Sequence, residues 1–356
     1  MNRPVLIMAG GTGGHIFPGL AVAEWLRRQD VPVIWLGSRA GLENRLVPDR
    51  GITLERLSIS GLRGTSLGRK LLAPFRLMRA LFQAIAVLRR HNPRSVLSMG
   101  GFAAGPGGLA AWLLRKPLVV HEQNSIPGLT NRILARLARR VLAGFPGAFP
   151  GIGEYVGNPV RADIAELPAP EQRLADRRGP VHLLVLGGSQ GAMSLNRLLP
   201  EALAQMDPER RPQVIHQLGE KHLQAGQAAY AAGEVQAELV PFIEDMSDAY
   251  RWADLVVCRA GALTVAELMA AGVASIMVPF PFAVDDHQTH NAGFLVSAGA
   301  AEMFQERELN AKALARRLTA LCDDRELLAR MAARARKLGQ KDAARRVADV
   351  CLEMAA

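Results

Sequence analysis

The sequence has little cysteine, few aromatic residues and no long apolar run. Its three cysteines, Cys258, Cys322 and Cys351, share no spacing typical of a zinc site or a disulfide framework, so we expect a reducing compartment. Aromatic residues make up only 5% of the chain, which argues against the stacking platforms that bind single-stranded nucleic acid. No apolar run approaches the roughly 18 residues of a membrane-spanning helix, and the one in Met1–Gly10 is too short for a signal peptide. These absences predict a cytoplasmic protein that is still free to touch a membrane surface.

Length and composition predict two globular domains. Of the 356 residues, 49% are apolar and 21% are charged, a balance that supports a sizeable core and excludes a disordered chain. The chain is too long for one ordinary core and suits two domains of about 150 to 180 residues. A segment rich in Pro and Gly, from Phe145 to Pro159, ends the first domain. We expect domains at 1–160 and 161–338, with 339–356 forming a C-terminal helix that packs back on the first.

Positive charge is concentrated in the first half of the chain. Residues 1–160 contain 21 Lys/Arg against 7 Asp/Glu, a net charge of +14, and the remaining 22 against 26 give residues 161–356 a net charge of −4. From Arg56 to His121 there are eleven basic residues and no acidic one. Such a bias indicates an anionic partner: nucleic acid, anionic lipid or a phosphorylated substrate. The alternative is a solvated basic surface without a specific partner.

A faint internal duplication indicates the fold class. The apolar run Val5–Ala9 leads into a glycine turn and a helical pattern, and the run Val181–Leu186 does the same half a chain later. Strand, glycine turn and helix is the way in which parallel α/β sheets begin. The sequence therefore predicts an α/β protein with two doubly wound sheets. Further apolar runs predict strands at 31–36, 95–99, 118–120, 214–218, 255–258 and 274–278.

Four glycine-rich turns at predicted strand ends favour an anionic ligand: Gly10–Gly14, Gly100–Gly108, Gly187–Gly191 and Arg259–Gly261. Glycine lets backbone N–H groups approach an anion, and a following helix N-terminus adds its dipole. The first turn lacks the third glycine of a dinucleotide fingerprint, and no turn has the glycine-lysine pair of a Walker loop. Phosphate is favoured over NAD and ATP, and plain tight turns are the alternative.

His15 is the candidate general base. It follows the first glycine turn at a predicted helix start, and histidine titrates near neutral pH, as such a base requires. The alternative is a histidine that only bonds to backbone. Asp285, Asp286, His287 and Gln288 form a polar loop without a metal-binding spacing, so no metal is predicted.

The segment Arg259–Glu267 has two interpretations. Its small residues would let a diphosphate lie on a helix start, with Glu267 bonding ribose hydroxyls. Alternatively, Thr264 and Glu267 form a capping box, which needs no ligand.

A basic amphipathic stripe is predicted from Lys70 to Arg90. Such a stripe can lie on an anionic bilayer, although more often it faces a core. No acidic residue interrupts it. The candidate membrane face consists of Leu71, Phe75, Met78 and Phe82 with Arg76 and Arg79.

Seven ordered blocks together resemble one family. They are GGTGGH at 10–15, MGGF at 99–102, HEQN at 121–124, GNPVR at 157–161, GGSQG at 187–191, PFI at 241–243 and RAGALTVAE at 259–267. The chain resembles, over nearly its whole length, the bacterial cell-wall glycosyltransferases that add N-acetylglucosamine to lipid I and so make lipid II.

The resemblance implies a GT-B fold, in which two Rossmann-like domains face each other and bind UDP-GlcNAc in the cleft, mainly through the second domain. It implies an inverting transfer with His15 as base, no cofactor and no metal. It assigns the donor contacts to Thr12, Gly13, Gly14, Asn124, Arg161, Ser189, Ile243, Gln288 and the run Ala262, Leu263, Thr264, Val265, Ala266 and Glu267. Ser189 would bind diphosphate, Ile243 uracil and Gln288 sugar hydroxyls.

The implied partners are UDP-GlcNAc, the lipid-linked acceptor lipid I, an anionic membrane and other cell-wall or division proteins. Nucleic acid is not expected. The implied location is peripheral, on the cytoplasmic side of the inner membrane. Two rival activities stay open on the residues: transfer to another lipid acceptor such as diacylglycerol, and epimerisation of UDP-GlcNAc at C2.

Overall fold

The computed structural model describes residues 3–59, 73–187 and 192–354. The chain forms two compact units. Unit 1 consists of Met1–Arg161 and Lys341–Ala356, and unit 2 consists of Ala162–Gln340. Each unit has one parallel sheet covered by helices, so the predicted α/β class with two doubly wound sheets is confirmed.

The sheet of unit 1 has seven parallel strands in the order β3-β2-β1-β4-β5-β6-β7. The order reverses between β1 and β4, and a crevice for ligands forms at the carboxyl ends of the strands at such a switch point. The strands are β1 Val5–Ala9, β2 Val33–Ser38, β3 Thr53–Leu57, β4 Ser95–Gly100, β5 Leu118–Glu122, β6 Arg140–Ala143 and β7 Gly153–Tyr155.

Helices cover both faces of this sheet, because its central strands are apolar on both faces. Alternate residues of β1 point to opposite faces: Val5 and Ile7 join one core cluster, and Leu6 and Met8 join the other. The helices are α1 Gly13–Arg28, α2 Glu43–Leu46, α3 Ala73–His91, α4 Ala104–Leu113, α5 Leu129–Ala135 and, near the C-terminus, α15 Ala343–Glu353. The first cluster contains residues of α1 and α15, and the second contains residues of α3, α4 and α5.

The sheet of unit 2 has six parallel strands in the order β10-β9-β8-β11-β12-β13. Its order reverses between β8 and β11, which gives unit 2 a switch point of its own. The strands are β8 His182–Leu186, β9 Gln213–Gln217, β10 Glu238–Val240, β11 Leu255–Cys258, β12 Ala274–Met277 and β13 Ala301–Met303.

The helices of unit 2 enclose one large core. Leu183 and Val257 of the sheet belong to the same cluster as Leu199, Leu318 and Met331 of the surrounding helices. The helices are α6 Ala162–Ala165, α7 Pro170–Arg173, α8 Met193–Ala204, α9 Leu223–Ala232, α10 Met246–Trp252, α11 Ala262–Ala271, α12 His287–Ser297, α13 Ala311–Cys322 and α14 Arg325–Leu338.

Candidate active site

Two glycine turns of unit 1 meet at the crevice between β1 and β4. Gly101 has φ of +89°, and a Cβ on it would lie 2.4 Å from the backbone oxygen of Gly10. Only glycine fits so close to another backbone at a positive φ. The turns that follow β1 and β4 are therefore locked against each other, and they fix the start of α1.

His15 lies in the first turn of α1, half-buried at this crevice. Its ring packs against Gly100, where a Cβ would come within 3.1 Å of Cε1. Its Nδ1 lies 2.7 Å from Oε1 of Gln123, which follows β5. The neighbouring Thr12 is exposed, and Gly13 and Gly14 are half-buried. The structure thus places the predicted base and three predicted donor contacts in one turn.

A chain of polar groups runs inward from His15. Nε2 of Gln123 lies 2.9 Å from Nδ1 of His121, and Nε2 of His121 lies 2.9 Å from the carbonyl oxygen of Gly157. His121 and Gln123 are buried. Burial lowers the pKa of His121 to about 4, so this imidazole is neutral at physiological pH. Gln123 is not among the site residues predicted from the sequence, although polar residues directly after a buried strand were a usable signal.

Glu122 holds the loop that contains the predicted donor contact Asn124. Its buried carboxylate accepts hydrogen bonds from the backbone N–H and the side-chain amide of Asn124, at 2.9 and 3.2 Å. It also accepts from the N–H of Gly128 at 3.1 Å and from Nδ2 of Asn131 at 3.0 Å. A carboxylate with four donors is fixed in place, so Asn124 is presented on a rigid support.

A second buried carboxylate, Glu43 of α2, reaches the first glycine turn. It accepts from the N–H of Gly11 at 3.1 Å and from the N–H and hydroxyl of Ser38 at 3.0 and 2.7 Å. Glu43 is fully buried, and a Cβ on Gly10 would lie 2.7 Å from its Oε1. The N–H of Gly11 is therefore already used by an anion of the protein itself. Spacing along the sequence gave no signal for this contact, because Gly11 and Glu43 are 32 residues apart.

Arg161, at the end of the first segment of unit 1, lies beside α1. Its guanidinium carbon is 5.8 Å from the centroid of the Phe17 ring, a cation–π geometry. Phe17 is one half-turn beyond His15, so Arg161 adds positive charge near the start of α1. Its side chain is half-buried.

In unit 2, α11 begins at the switch point with Gly261 as its N-cap. The first helical bond runs from the N–H of Val265 to the oxygen of Gly261, which leaves the N–H groups of Ala262, Leu263 and Thr264 without an acceptor inside the helix. Such groups and the helix dipole favour a bound anion. The side chains of Val265 and Ala266 are buried in the core, so only their backbone could face a ligand.

Glu267 lies one turn further along α11 and is 6% exposed. Its Oε2 accepts a hydrogen bond from the hydroxyl of Tyr250, at 3.0 Å. The capping-box interpretation of Thr264 and Glu267 is wrong: Thr264 lies inside the helix, and Gly261 occupies the cap position without a side chain. Gly261 has no side chain that could accept a hydrogen bond, so no capping box forms at this helix start.

Gln288 lies in the first turn of α12, next to a strained loop. Its Oε1 accepts from the N–H of Phe280 at 2.9 Å. Asp285 and Asp286, just before the helix, both have left-handed φ values, 53° and 50°. Such consecutive residues cost free energy and are often found at functional loops. Ile243 lies in another loop of unit 2, after β10, and is half-buried.

Arg259 is a candidate binding-site residue that the sequence analysis did not single out. It follows β11 directly and donates to the carbonyl oxygens of Val278 and Pro279, both at 3.1 Å. Its other nitrogen lies 2.5 Å from the Glu306 carboxylate and 2.8 Å from the Ser194 hydroxyl. These contacts tie the switch point to the start of α8, to the segment after β12 and to Glu306. A basic residue at the end of an apolar strand was the available signal.

The predicted membrane face is on the solvent side of α3. Phe75, Met78 and Phe82 are 75%, 52% and 63% exposed, and Arg76 and Arg79 are exposed between them. The opposite side of the helix packs on the sheet through Ala84 and Leu88, among others. Two further predicted site residues, Leu71 and Ser189, lie outside the described residues.

Within 3–59, 73–187 and 192–354, no helix is long and apolar enough to cross a membrane. Among the same residues, no group of three or more His, Cys, Asp or Glu side chains is placed to hold a metal ion.

Comparison with known proteins gives a family match over both units. Residues 5–143 match the model of the glycosyltransferase family 28 N-terminal domain, and residues 182–347 match that of its C-terminal domain. A curated protein of Alkalilimnicola ehrlichii is 58% identical over 356 residues, 100% of both chains. That protein is the UDP-N-acetylglucosamine–N-acetylmuramyl-(pentapeptide) pyrophosphoryl-undecaprenol N-acetylglucosamine transferase.

Solved structures agree with this match. The crystal structure of Acinetobacter baumannii MurG is 41% identical, covers 99% of each chain and has a TM-score of 0.86. The UDP-GlcNAc 2-epimerase of Neisseria meningitidis bound to UDP-GlcNAc has a TM-score of 0.67 over 98% of this chain and 100% of its own. At 13% identity, this second likeness concerns the fold alone.

Proposed function

The chain belongs to glycosyltransferase family 28, and we propose that it transfers N-acetylglucosamine from UDP-GlcNAc to lipid I. Lipid I is the N-acetylmuramyl-(pentapeptide) pyrophosphoryl-undecaprenol acceptor, and the product of the transfer is lipid II. The observation that supports this most is the 58% identity to the named transferase over the full length of both chains. A diacylglycerol acceptor is not favoured, because the relative at 58% identity is named for a pyrophosphoryl-undecaprenol acceptor. Epimerisation at C2 is not favoured, because the structural likeness to an epimerase is limited to 13% identity.

The proposed reaction is a single displacement with inversion. A hydroxyl of the acceptor attacks the anomeric carbon, the bond from that carbon to the diphosphate breaks, and UDP leaves with the bonding electrons. The hydroxyl proton goes to a general base, and the growing negative charge of the diphosphate needs fixed donors. His15 is proposed as the base. Its half-exposed ring, held on one side by Gln123, suits a group that takes a proton from a bound acceptor.

Unit 2 is proposed to hold most of the donor. The N-terminus of α11 offers N–H groups of Ala262 to Thr264 to the diphosphate, and the Glu267 carboxylate, 6% exposed, is proposed to accept ribose hydroxyls. Ser189 remains the proposed diphosphate contact, Ile243 the uracil contact and Gln288 the sugar contact. In unit 1, the proposed donor contacts are Thr12, Gly13, Gly14, Asn124 and Arg161.

We further propose that unit 1 docks on the cytoplasmic face of an anionic membrane. The exposed Phe75, Met78 and Phe82 of α3 lie in the same layer as α4, whose Trp112 and Leu113 are each 50% exposed. The net charge of +14 over 1–160 attracts anionic lipid, and each Lys or Arg near such a surface contributes about 1 kcal/mol. Unit 1 would then bind the lipid-linked acceptor at the membrane surface that holds it.

The decisive experiment follows radiolabel from UDP-GlcNAc into a lipid I analogue. We expect transfer to lipid I, no transfer to diacylglycerol and no conversion of UDP-GlcNAc incubated alone. Transfer to diacylglycerol at a comparable rate, or accumulation of an epimerised nucleotide sugar, would replace the proposed activity with the corresponding rival.

A further inference from the structure

We propose that Gln123 is a positioning residue for His15: it keeps a proton on Nδ1 and so leaves the lone pair of Nε2 to take the proton of the acceptor. The inference rests on the proposed function, in which His15 is the base. The hydrogen bonds that link His15, Gln123 and His121 can each run in one direction only, and these directions fix the proton on His15.

The side-chain amide of Gln123 can adopt only one orientation. Its Nε2 lies 3.0 Å from the carbonyl oxygen of His121 and 2.9 Å from Nδ1 of the same residue. A carbonyl oxygen only accepts, so the NH₂ group must face it, and both of its hydrogens are used by His121. The amide oxygen of Gln123 therefore faces His15.

The tautomer of His121 agrees with this orientation. Its Nε2 lies 2.9 Å from the carbonyl oxygen of Gly157, so Nε2 must carry the proton. Because burial lowers the pKa of His121 to about 4, Nδ1 holds a lone pair at neutral pH and accepts from Gln123. Every donor of this hydrogen-bond network then points inward: Gln123 donates to His121, and His121 donates to Gly157.

The direction of the last bond fixes His15. The Oε1 atom of Gln123 has no hydrogen, so at 2.7 Å it can only accept, and Nδ1 of His15 must donate. In neutral His15, Nε2 then has the lone pair. The other tautomer would place two lone pairs 2.7 Å apart and leave a buried acceptor without a donor, which is costly.

The frame around the pair is rigid. Gln123 is 1% exposed, and its backbone oxygen accepts from Nδ2 of Asn158 at 2.9 Å. On the other side, the His15 ring packs on Gly100. These contacts hold the imidazole and the amide against each other, so the proton position of His15 depends on Gln123.

The direct test is the tautomer of His15 in the wild-type protein. Two-bond ¹H–¹⁵N spectra of protein labelled with ¹⁵N-histidine, recorded at alkaline pH, distinguish Nδ1–H from Nε2–H. Loss of one signal set in His15→Ala assigns the residue. We expect Nδ1–H for His15 and, in the same spectrum, the opposite tautomer for His121. Protonation of His15 at Nε2 would overturn the inference, and this measurement needs no variant at Gln123.

The second test is a double-mutant cycle. Gln123→Met keeps the volume but removes the acceptor, and we expect kcat to fall on the order of 10²-fold with KM for UDP-GlcNAc unchanged. In the His15→Ala background, the same substitution should change kcat no further. An equal fall in both backgrounds would mean that Gln123 does not act through His15.

A matched control comes from Gln83 of α3, whose amide accepts from the N–H of Ser58 and donates to its hydroxyl. Gln83→Met makes the same chemical change in the same unit and should leave kcat unaltered. If no protein form transfers sugar to lipid I, the proposed function fails, whereas the tautomer spectrum still decides the inference about Gln123.

Discussion

Both units contain a buried, neutral histidine in or at the end of a sheet strand, and the two differ in where their hydrogen bonds lead. In unit 2, His216 lies between the hydroxyl of Tyr230 at 2.9 Å and the amide oxygen of Asn196 at 3.2 Å. Asn196 in turn donates to the oxygen of Leu218, so this network closes inside the core. In unit 1, the network of His121 ends at His15, which is half-buried.

The same arrangement, a buried neutral histidine with both ring nitrogens hydrogen-bonded, therefore has a different use in each unit. A neutral imidazole with both nitrogens bonded orders the groups around it, and in unit 2 it orders only the core. In unit 1 the imidazole of His121 also orders Gln123, which in turn orders His15 at the switch point. Charge differs in the same way: the basic half and the exposed apolar helix belong to unit 1, whereas residues 161–356 carry a net charge of −4.

The strongest test of this division is removal of the proposed base. His15→Ala should lower kcat by about 10²–10⁴-fold while calorimetric titration finds UDP affinity nearly unchanged, because unit 2 is proposed to hold UDP. A comparable loss of UDP affinity would assign His15 to binding rather than catalysis.

Acid unfolding should distinguish the two buried histidines. Burial lowers the pKa of His121 to about 4 and of His216 to about 3. An unfolded histidine titrates near 6.5, so below that pH the unfolded state binds the proton and the folded state does not. The free energy of unfolding therefore decreases as the pH is lowered from 6.5 through the folded pKa of each histidine. At 1.36 kcal/mol per pKa unit, the full decrease is about 3 kcal/mol for His121 and about 5 kcal/mol for His216.

Urea unfolding as a function of pH measures this difference. His121→Asn should flatten the dependence between pH 6.5 and about 4, and His216→Asn should flatten it down to about pH 3. An unchanged slope in either variant would mean that folding does not lower the pKa of that histidine.

The donor side of the comparison depends on Glu267. Glu267→Ala should weaken UDP-GlcNAc binding by roughly 1.5–3 kcal/mol, since a charged acceptor of ribose hydroxyls is lost. Tyr250→Phe is the matched control, because it removes the 3.0 Å bond to Glu267 and keeps the carboxylate. Calorimetry and thermal melts should find destabilisation in both variants but weaker donor binding only in the first. Equal donor affinity in the two would make Glu267 purely structural.

The smallest expected effect on stability is at the proposed membrane face. Phe75→Ser with Phe82→Ser should reduce sedimentation with anionic vesicles and leave Tm unchanged, because both rings are more than 60% exposed. Phe282→Ser, at 81% exposure in unit 2, should leave vesicle binding as it was. Binding of equal strength to neutral vesicles in high salt would contradict the electrostatic part of the proposal.

The central strands could be predicted from the sequence, and the edge strands could not. Val5–Ala9 and Leu255–Cys258 are continuous apolar runs because helices cover both faces of their sheets. The edge strands Thr53–Leu57 and Glu238–Val240 are half-solvated and include charged residues, so no apolar run marks them. A run of apolar residues identifies a strand that is buried on both faces, and the edge strands are only partly buried.

The residues of the candidate site also fall into a predictable and an unpredictable group. His15 and the start of α11 could be located because glycine turns mark strand ends within a few residues. The contacts of Glu43 with Gly11 and of Gln123 with His15 join residues 32 and 108 positions apart. No local spacing encodes such contacts, since strand order in the sheet brings these residues together.

The return of the chain to unit 1 has a consequence for synthesis on the ribosome. Val347 and Cys351 of α15 are fully buried in the core beneath α1, and the hydroxyl of Ser95 donates to the Cys351 oxygen. That core cannot close until about 180 further residues, those of unit 2, have been translated, a delay of roughly 10 to 35 s at 5–20 residues per second. Unit 2 is contiguous in sequence and can complete its core first. The half that emerges first is therefore the half that finishes folding last, and its apolar sheet face awaits α15 throughout that interval.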